Sequence, residues 1–366
     1  MRIAIAGGVF GRSTGYRSTV RWTPETTLLQ GLTQRGHDVT ALPHAPRYDL
    51  SDFDVAHVHH LSWGAVAAAT DRSSTPFVFS LHATAPAYPR AARFVMSRAD
   101  GIVALWPGQA ETFGRRFGAI ENVAVIPNGI DPSAFSYTRP TMPRDGSWEL
   151  LYVGQLIPGK GVEILLRAIG SLRRRHDVRL SLVYHTNAME GALQGLAQQL
   201  RISDVVRFRG HVPQQQLASV YARAHFLVLP STGGFEALPS VLTEGMYVGT
   251  FPIGTDVGGV RDQVRPYGIV VRPGDVGAFA DGIERAIRKF PDHVDRAEEM
   301  SEAARTRFSI DRMIVAHEEL YERVTRDGQR PRRHDPTRRV GTFLARPAVA
   351  MAAPVRGRHP ADGDPR

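Results

Sequence analysis

The stretch from Leu229 to Gly259, LPSTGGFEALPSVLTEGMYVGTFPIGTDVGG, decides the fold. The run His225 to Leu229 that leads into it is short and continuously apolar, as in a strand buried on both faces, and Pro230 to Gly234 stops it. A helix is expected next, with Pro239 at its first position, where a missing N–H costs nothing, running to about Tyr247. Gly249 opens a second strand, TFPIG, which ends in a loop of peptide N–H groups at Asp256 to Gly259. Strand, loop, helix and strand in that order make a parallel unit whose ligand crevice lies at the C-terminal ends of the strands. Two acids should face that crevice: Glu236 in the loop before the helix, and Glu244 about a turn and a half inside it.

The same alternation extends outward. From Met1 to about Ile126 the candidate strands are Arg2–Ala6, Asp38–Leu42, Val55–Val58, Phe77–Leu81, Gly101–Leu105 and Val123–Ile126. Helical patterns lie between them, such as Pro24–Arg35 behind Thr23 as N-cap. Residues 137–147, rich in Pro, Arg and Thr, read as a linker. A second alternation follows: Leu150–Gly154, the helix Gly161–Arg174, Arg179–Tyr184, the helix Glu190–Leu200, Val205–Arg209, the opening stretch, and Gly268–Val271. Ser309 caps a last helix with Ile310, Met313, Ile314, His317, Leu320, Tyr321 and Val324 at helical spacing. The expectation is an α/β protein of two Rossmann-like domains, 1–140 and 148–308, with a cleft between them, a helix at 309–326 and a disordered tail at 327–366.

Composition narrows the class. At 366 residues, 42% hydrophobic and 22% charged, the chain suits two ordinary globular domains. It has no cysteine, which rules out disulfides and thiolate catalysis and suits a cytoplasmic protein. The net charge of +9 suggests nucleic acid until it is located: residues 326–366 carry ten Arg and four Asp, or +6, leaving +3 for the other 325 residues. Such a tail is a solvated extension rather than a nucleic-acid arm, with weak attraction to an anionic membrane face as a second reading. No apolar run reaches the roughly 18 residues that cross a bilayer.

Glu236 and Glu244 form an E-x7-E pair with Pro-Ser, Leu-Pro, Glu-Gly-Met and Val-Gly-Gly in register around it. This resembles the donor site of the retaining GT-B glycosyltransferases of family 4, the glycosyl transferases group 1. Three other stretches agree. Gly154-Gln-Leu-Ile-Pro-Gly-Lys160-Gly161 follows a strand and opens a helix, where N–H groups and a cation suit a diphosphate. It is similar to the family's G-R-L…K-G loop, with Gln155 in the arginine's place. Lys160 is one of only two lysines among 45 basic residues, which suggests a need for a compact ammonium. Pro127 to Asp131 is the family's interdomain PNGID turn, and Asp54 with His57 and His59 fits its D-x-x-H-x-H strand.

The resemblance implies metal-independent transfer of a sugar from a UDP- or GDP-linked donor to an acceptor hydroxyl, with no cofactor. It assigns catalysis to His82, Glu236 and Lys160, although Ala83 stands where the family has an Asp after the histidine. It assigns donor binding to Gly15, Gln155, Lys160, the Leu238-Pro239-Ser240 helix start, Glu244 and Gly258-Gly259. Glu244 would take the ribose hydroxyls and Glu236 the sugar. No further carboxylate is spaced to act as a nucleophile, which favours same-face transfer. The acceptor is left open, as are two rival readings, a GT-B nucleotide-sugar epimerase and a degenerate nucleotide-sugar binder. Gln155, Ala83 and the absence of G-x-G at Tyr184 to Asn187 favour the latter. A dinucleotide oxidoreductase fails because the second strand ends at Leu42-Pro43-His44 with no acid for a ribose. Clustered His57, His59 and His60, on consecutive and alternate strand positions, do not converge on a metal.

Overall fold

The computed structural model describes residues 1–12, 23–84, 88–117, 122–233 and 236–328. Two six-stranded parallel sheets form its framework. The first half alternates β1 (Arg2–Ala6), α1 (Pro24–Gln34), β2 (Asp38–Leu42), β3 (Val55–His59), α2 (Trp63–Thr70), β4 (Phe77–Ser80), α3 (Pro89–Met96), β5 (Gly101–Ala104), α4 (Pro107–Phe117) and β6 (Val123–Val125). The second half runs β7 (Trp148–Val153), α5 (Val162–Leu172), β8 (Val178–Val183), α6 (Glu190–Gln199), β9 (Val206–Gly210), α7 (Gln214–Ala222), β10 (Phe226–Leu229), α8 (Ser240–Val248), β11 (Phe251–Thr255), α9 (Val260–Val264) and β12 (Ile269–Val271). Two helices close the described chain, α10 (Val276–Arg307) and α11 (Ile310–Gly328).

Strand order positions the site. The N-terminal sheet runs β2-β1-β3-β4-β5-β6 and the C-terminal one β12-β11-β10-β7-β8-β9. Each reverses direction once, at β1/β3 and at β7/β10, and the loops leaving those strands diverge there to open a crevice. The loops are Gly7–Arg12 and His60 in the first sheet, and Gly154–Gly161, Pro230–Gly233 and Glu236–Pro239 in the second. β3, β4, β10 and β11 are buried along their whole length and are mainly apolar, as strands covered on both faces must be, with His57, His59, Ser80 and Thr255 as their buried polar residues.

The return helix takes the expected face. Met313, Ile314, His317, Leu320, Tyr321 and Val324 are all buried, and Ser309 Oγ accepts from the Arg312 N–H at 3.3 Å. Ile314 sits so close to α1 that a Cβ on Gly31 would fall 1.8 Å from its Cδ1. The two chain crossings are bound to each other, with the Ile130 N–H donating to Phe308 O at 2.9 Å. Tyr247 Oη donates to the same carbonyl at 2.8 Å, and Arg305 reaches Pro132 O at 3.1 Å. A Cβ at Gly129 would lie 2.6 Å from Ile310 Cα, a backbone atom that cannot swing aside. Gly129→Ala is therefore expected to cost about 1–3 kcal/mol, read as a lower denaturant midpoint at unchanged slope; an unchanged midpoint contradicts this packing.

Two expectations need correction, and one long helix was not anticipated. Pro239 is the N-cap of α8 rather than its first residue: its ψ is 119°, and its carbonyl is held by Gln263 Nε2 at 2.9 Å and the Leu242 N–H at 3.2 Å. Strand limits shift by one or two residues; β7 starts at Trp148 because its N–H finds Asp177 O at 2.8 Å. The 32-residue α10 had no sequence signal, since Pro291 interrupts it. It persists because Asp275 caps its start and Phe279, Ile283, Ala286, Phe290, Ala297, Met300 and Ala304 fill the core.

Candidate active site

One of the two acids, Glu236, meets the lysine. Lys160 Nζ donates to Glu236 Oε1 at 2.5 Å, and Ser231 Oγ donates to the same oxygen at 2.7 Å. Lys160 and Glu236 side chains are 19% and 7% exposed, so this is a largely desolvated pair. Its loops are fixed by glycine. Gly161 has φ 69° and a Cβ there would sit 2.0 Å from Pro230 O, which brings the β7 and β10 loops together. The pair opens on a cavity of about 360 Å³, lined by Gln155, Lys160, Tyr184, His185, His211, Gln214, Glu236, Pro239 and Ser240 among others. That volume accommodates a small ligand. Tyr184 and His185 present rings where the resembled family has glycines.

Glu244 faces a second cavity of about 220 Å³, also lined by Leu238, Ser240, Gln214, Thr23, Thr27, Asn128, Asp131 and Phe135. Tyr221 Oη donates to Glu244 Oε2 at 2.7 Å. Burial raises the Glu244 carboxyl above its usual value, against the lowering effect of hydrogen bonds from Tyr221 and Ser240. Ser240 and Gln214 line both cavities, so the two are adjacent.

One expected donor group is already engaged. The Gly259 N–H donates to Ala237 O at 2.6 Å, so it does not point at a ligand. Gly258, at φ 55°, is required for close packing: a Cβ would fall 2.3 Å from Glu236 O. These glycines support the Glu236 loop from below. Gly15 lies outside the described residues.

His82 sits two residues beyond β4, the strand next to β3 at the N-terminal switch point. Its Nε2 is 2.9 Å from His59 Nδ1, and its ring is stacked with that of His59. Burial pushes both imidazoles down, His59 to about 3 and His82 well below the ordinary value. His57 Nδ1 and Nε2 are taken by Tyr321 Oη and Ser80 Oγ, at 2.6 and 2.7 Å. Among the described residues no three His, Asp or Glu side chains are grouped to hold a metal. The two halves touch across the crevice: Thr84 Oγ1 donates to Glu236 O, and Trp106 packs against Gly259.

Comparison with known proteins gives the family and the fold. Residues 138–307 match the family model for glycosyl transferases group 1, and 45–134 that for glycosyltransferase family 4. A D-inositol 3-phosphate glycosyltransferase of Frankia alni is 31% identical over 283 residues, covering 67% of each chain. The chain belongs to the group 1 glycosyltransferases. Its two-sheet architecture is GT-B: a sucrose-phosphate synthase from Thermosynechococcus elongatus superposes with a TM-score of 0.73 at 18% identity, covering 89% of this chain and 100% of that one. Anabaena HepE, solved with UDP and glucose, superposes with a TM-score of 0.68 at 18% identity over 88% and 100% of the two chains.

In this glycosyltransferase, several site residues had no sequence signal. Tyr221 approaches Glu244 from another helix, 23 residues away. Ser231 reads as a turn residue, Thr84 as a loop residue, and Glu25 as an ordinary first-turn acid of α1. A helix start is the one hint for Glu25; its partner, His60, is 35 positions downstream. No helix among the described residues is long and apolar enough to cross a membrane.

Proposed function

We propose that this glycosyltransferase moves a sugar from a UDP- or GDP-linked donor to an acceptor hydroxyl, with retention and without a metal. The observation that carries the proposal is the desolvated Lys160–Glu236 pair at the β7/β10 switch point, opening on a cavity. A departing diphosphate needs positive charge where the glycosidic bond breaks. Lys160 supplies an ammonium there, and the α8 start adds its N–H groups and dipole. Glu236, beside it, is placed to take the sugar hydroxyls, and Glu244 to take the ribose through the Ser240–Gln214 junction of the cavities. The base then lies along Tyr184 and His211. His82, neutral and carried by the other half, completes the site as a hydrogen-bonding group at the sugar. HepE, of the same fold, is solved with UDP and glucose, which supports a nucleotide-sugar donor.

The direct test is hydrolysis of UDP-, GDP- and ADP-sugars with and without EDTA. Release of sugar that EDTA does not diminish supports the reading. Binding without release, in any acceptor screen, favours a degenerate binder instead. Gln155 supplies a second measurement. A charge-assisted contact contributes about 1.5–3 kcal/mol against about 1 for a neutral one, so Gln155→Arg should tighten UDP binding roughly tenfold by calorimetry. No change would mean that another group already fills that role.

A further inference from the structure

A second carboxylate pair lies across the crevice, in the N-terminal half. His60 Nε2 is 3.1 Å from Glu25 Oε1, with the His60 side chain 44% exposed and Glu25 only 4%. The couple is thus buried at one end and open at the other. Its backbone is unusual: His60 holds φ 65°, a left-handed conformation that non-glycine residues rarely adopt. The His60 N–H keeps it there by donating to Ser80 O at 2.9 Å. Glu25 lies against the loop after β1, since a Cβ on Gly7 would fall 2.8 Å from its Cγ. The His60 ring centre is 4.8 Å from that of His82. The loop after β1, His60 and His82 therefore surround one point at the ends of β1, β3 and β4.

We infer that His60 contacts the acceptor, its Nδ1 accepting a hydrogen bond from the acceptor hydroxyl, and that Glu25 is the positioning residue that fixes the required tautomer. The inference rests on the sugar-transfer reading above. A carboxylate only accepts hydrogen bonds, so the ring nitrogen facing Glu25 must carry the proton. In the neutral ring the other nitrogen then bears a lone pair, and Nδ1 has no protein partner among the described residues. Burial works against ionisation of Glu25, but its contact with His60 opposes that and the carboxyl lies well below its ordinary value. His44, His59 and His82, which also face the couple, are all lowered by burial and stay uncharged at neutral pH. The chemistry suits an uncharged hydroxyl donor such as a polyol or sugar.

Glu25→Gln tests this with little change of shape, because a carboxamide can donate to Nε2 and let the proton move to Nδ1. Hydrolysis of UDP-glucose, with water as acceptor, should slow about 10²-fold. His60→Gln should do the same, the double variant should add little, and UDP affinity by calorimetry should hold. Independently of activity, ¹⁵N spectra of labelled histidine should show His60 as the Nε2–H tautomer in the unaltered protein and as Nδ1–H in Glu25→Gln. An Nδ1–H ring in the unaltered protein, or full turnover in either variant, overturns the inference. Failure of the unaltered protein to bind UDP, GDP or ADP would overturn the donor reading instead, and the tautomer measurement would still decide this one.

Discussion

Lys160→Ala is expected to slow nucleotide-sugar hydrolysis about 10²–10³-fold, the usual cost of deleting a group that stabilises a developing oxyanion. It should weaken UDP binding as well, because the diphosphate loses its ammonium in the bound state too. Stability should also fall. Lys160 is the charge partner of Glu236, whose side chain is 7% exposed, and Ser231 alone would remain to solvate that carboxylate. Breaking a buried pair from one side costs about 3–5 kcal/mol, and this pair, with Lys160 19% exposed, belongs at the low end. The two effects separate in the double variant Lys160→Met/Glu236→Gln, which should recover most of the melting temperature and none of the turnover. Intact UDP affinity and turnover in Lys160→Ala would remove the diphosphate assignment.

Glu236→Gln should do the opposite to binding. It keeps the size of the side chain and its contact with Ser231, but releases Lys160 from a 2.5 Å ion pair. The freed ammonium is then available to phosphate, so UDP should bind at least as tightly as before. Turnover should nevertheless fall about 10²–10³-fold, since the sugar and the positive charge near its anomeric carbon lose their carboxylate. Calorimetry with UDP and steady-state hydrolysis check the two halves of this expectation. Parallel losses in binding and turnover would place Glu236 on the nucleotide rather than on the sugar.

Much of the fold was legible because both sheets are parallel and buried. β10 is an unbroken apolar run, FLVL, and such runs punctuated by Gly and Pro carry a direct local signal. The return helix was equally plain, from seven residues at helical spacing. What escaped was decided by distant parts of the chain. α10 was not anticipated, and it runs unbroken through Pro291 because its buried face outweighs the cost of that residue. The Gly258-Gly259 loop reads as a bank of free N–H donors, but the Gly259 N–H is consumed by Ala237 O, an acceptor 22 residues away. Lys160 and Glu236 could be named as site residues, while their mutual contact across 76 residues could not. The same holds for Glu244 with Tyr221 and for Glu25 with His60, since neither pairing follows any local period.

The most direct measurement is a crystal structure of the full chain with UDP and with a non-hydrolysable UDP-sugar. The account predicts a diphosphate oxygen within about 3 Å of Lys160 Nζ, the ribose hydroxyls on Glu244, and the sugar between Glu236 and His82. A nucleotide bound elsewhere, or one that leaves Lys160 engaged with Glu236 alone, would contradict it.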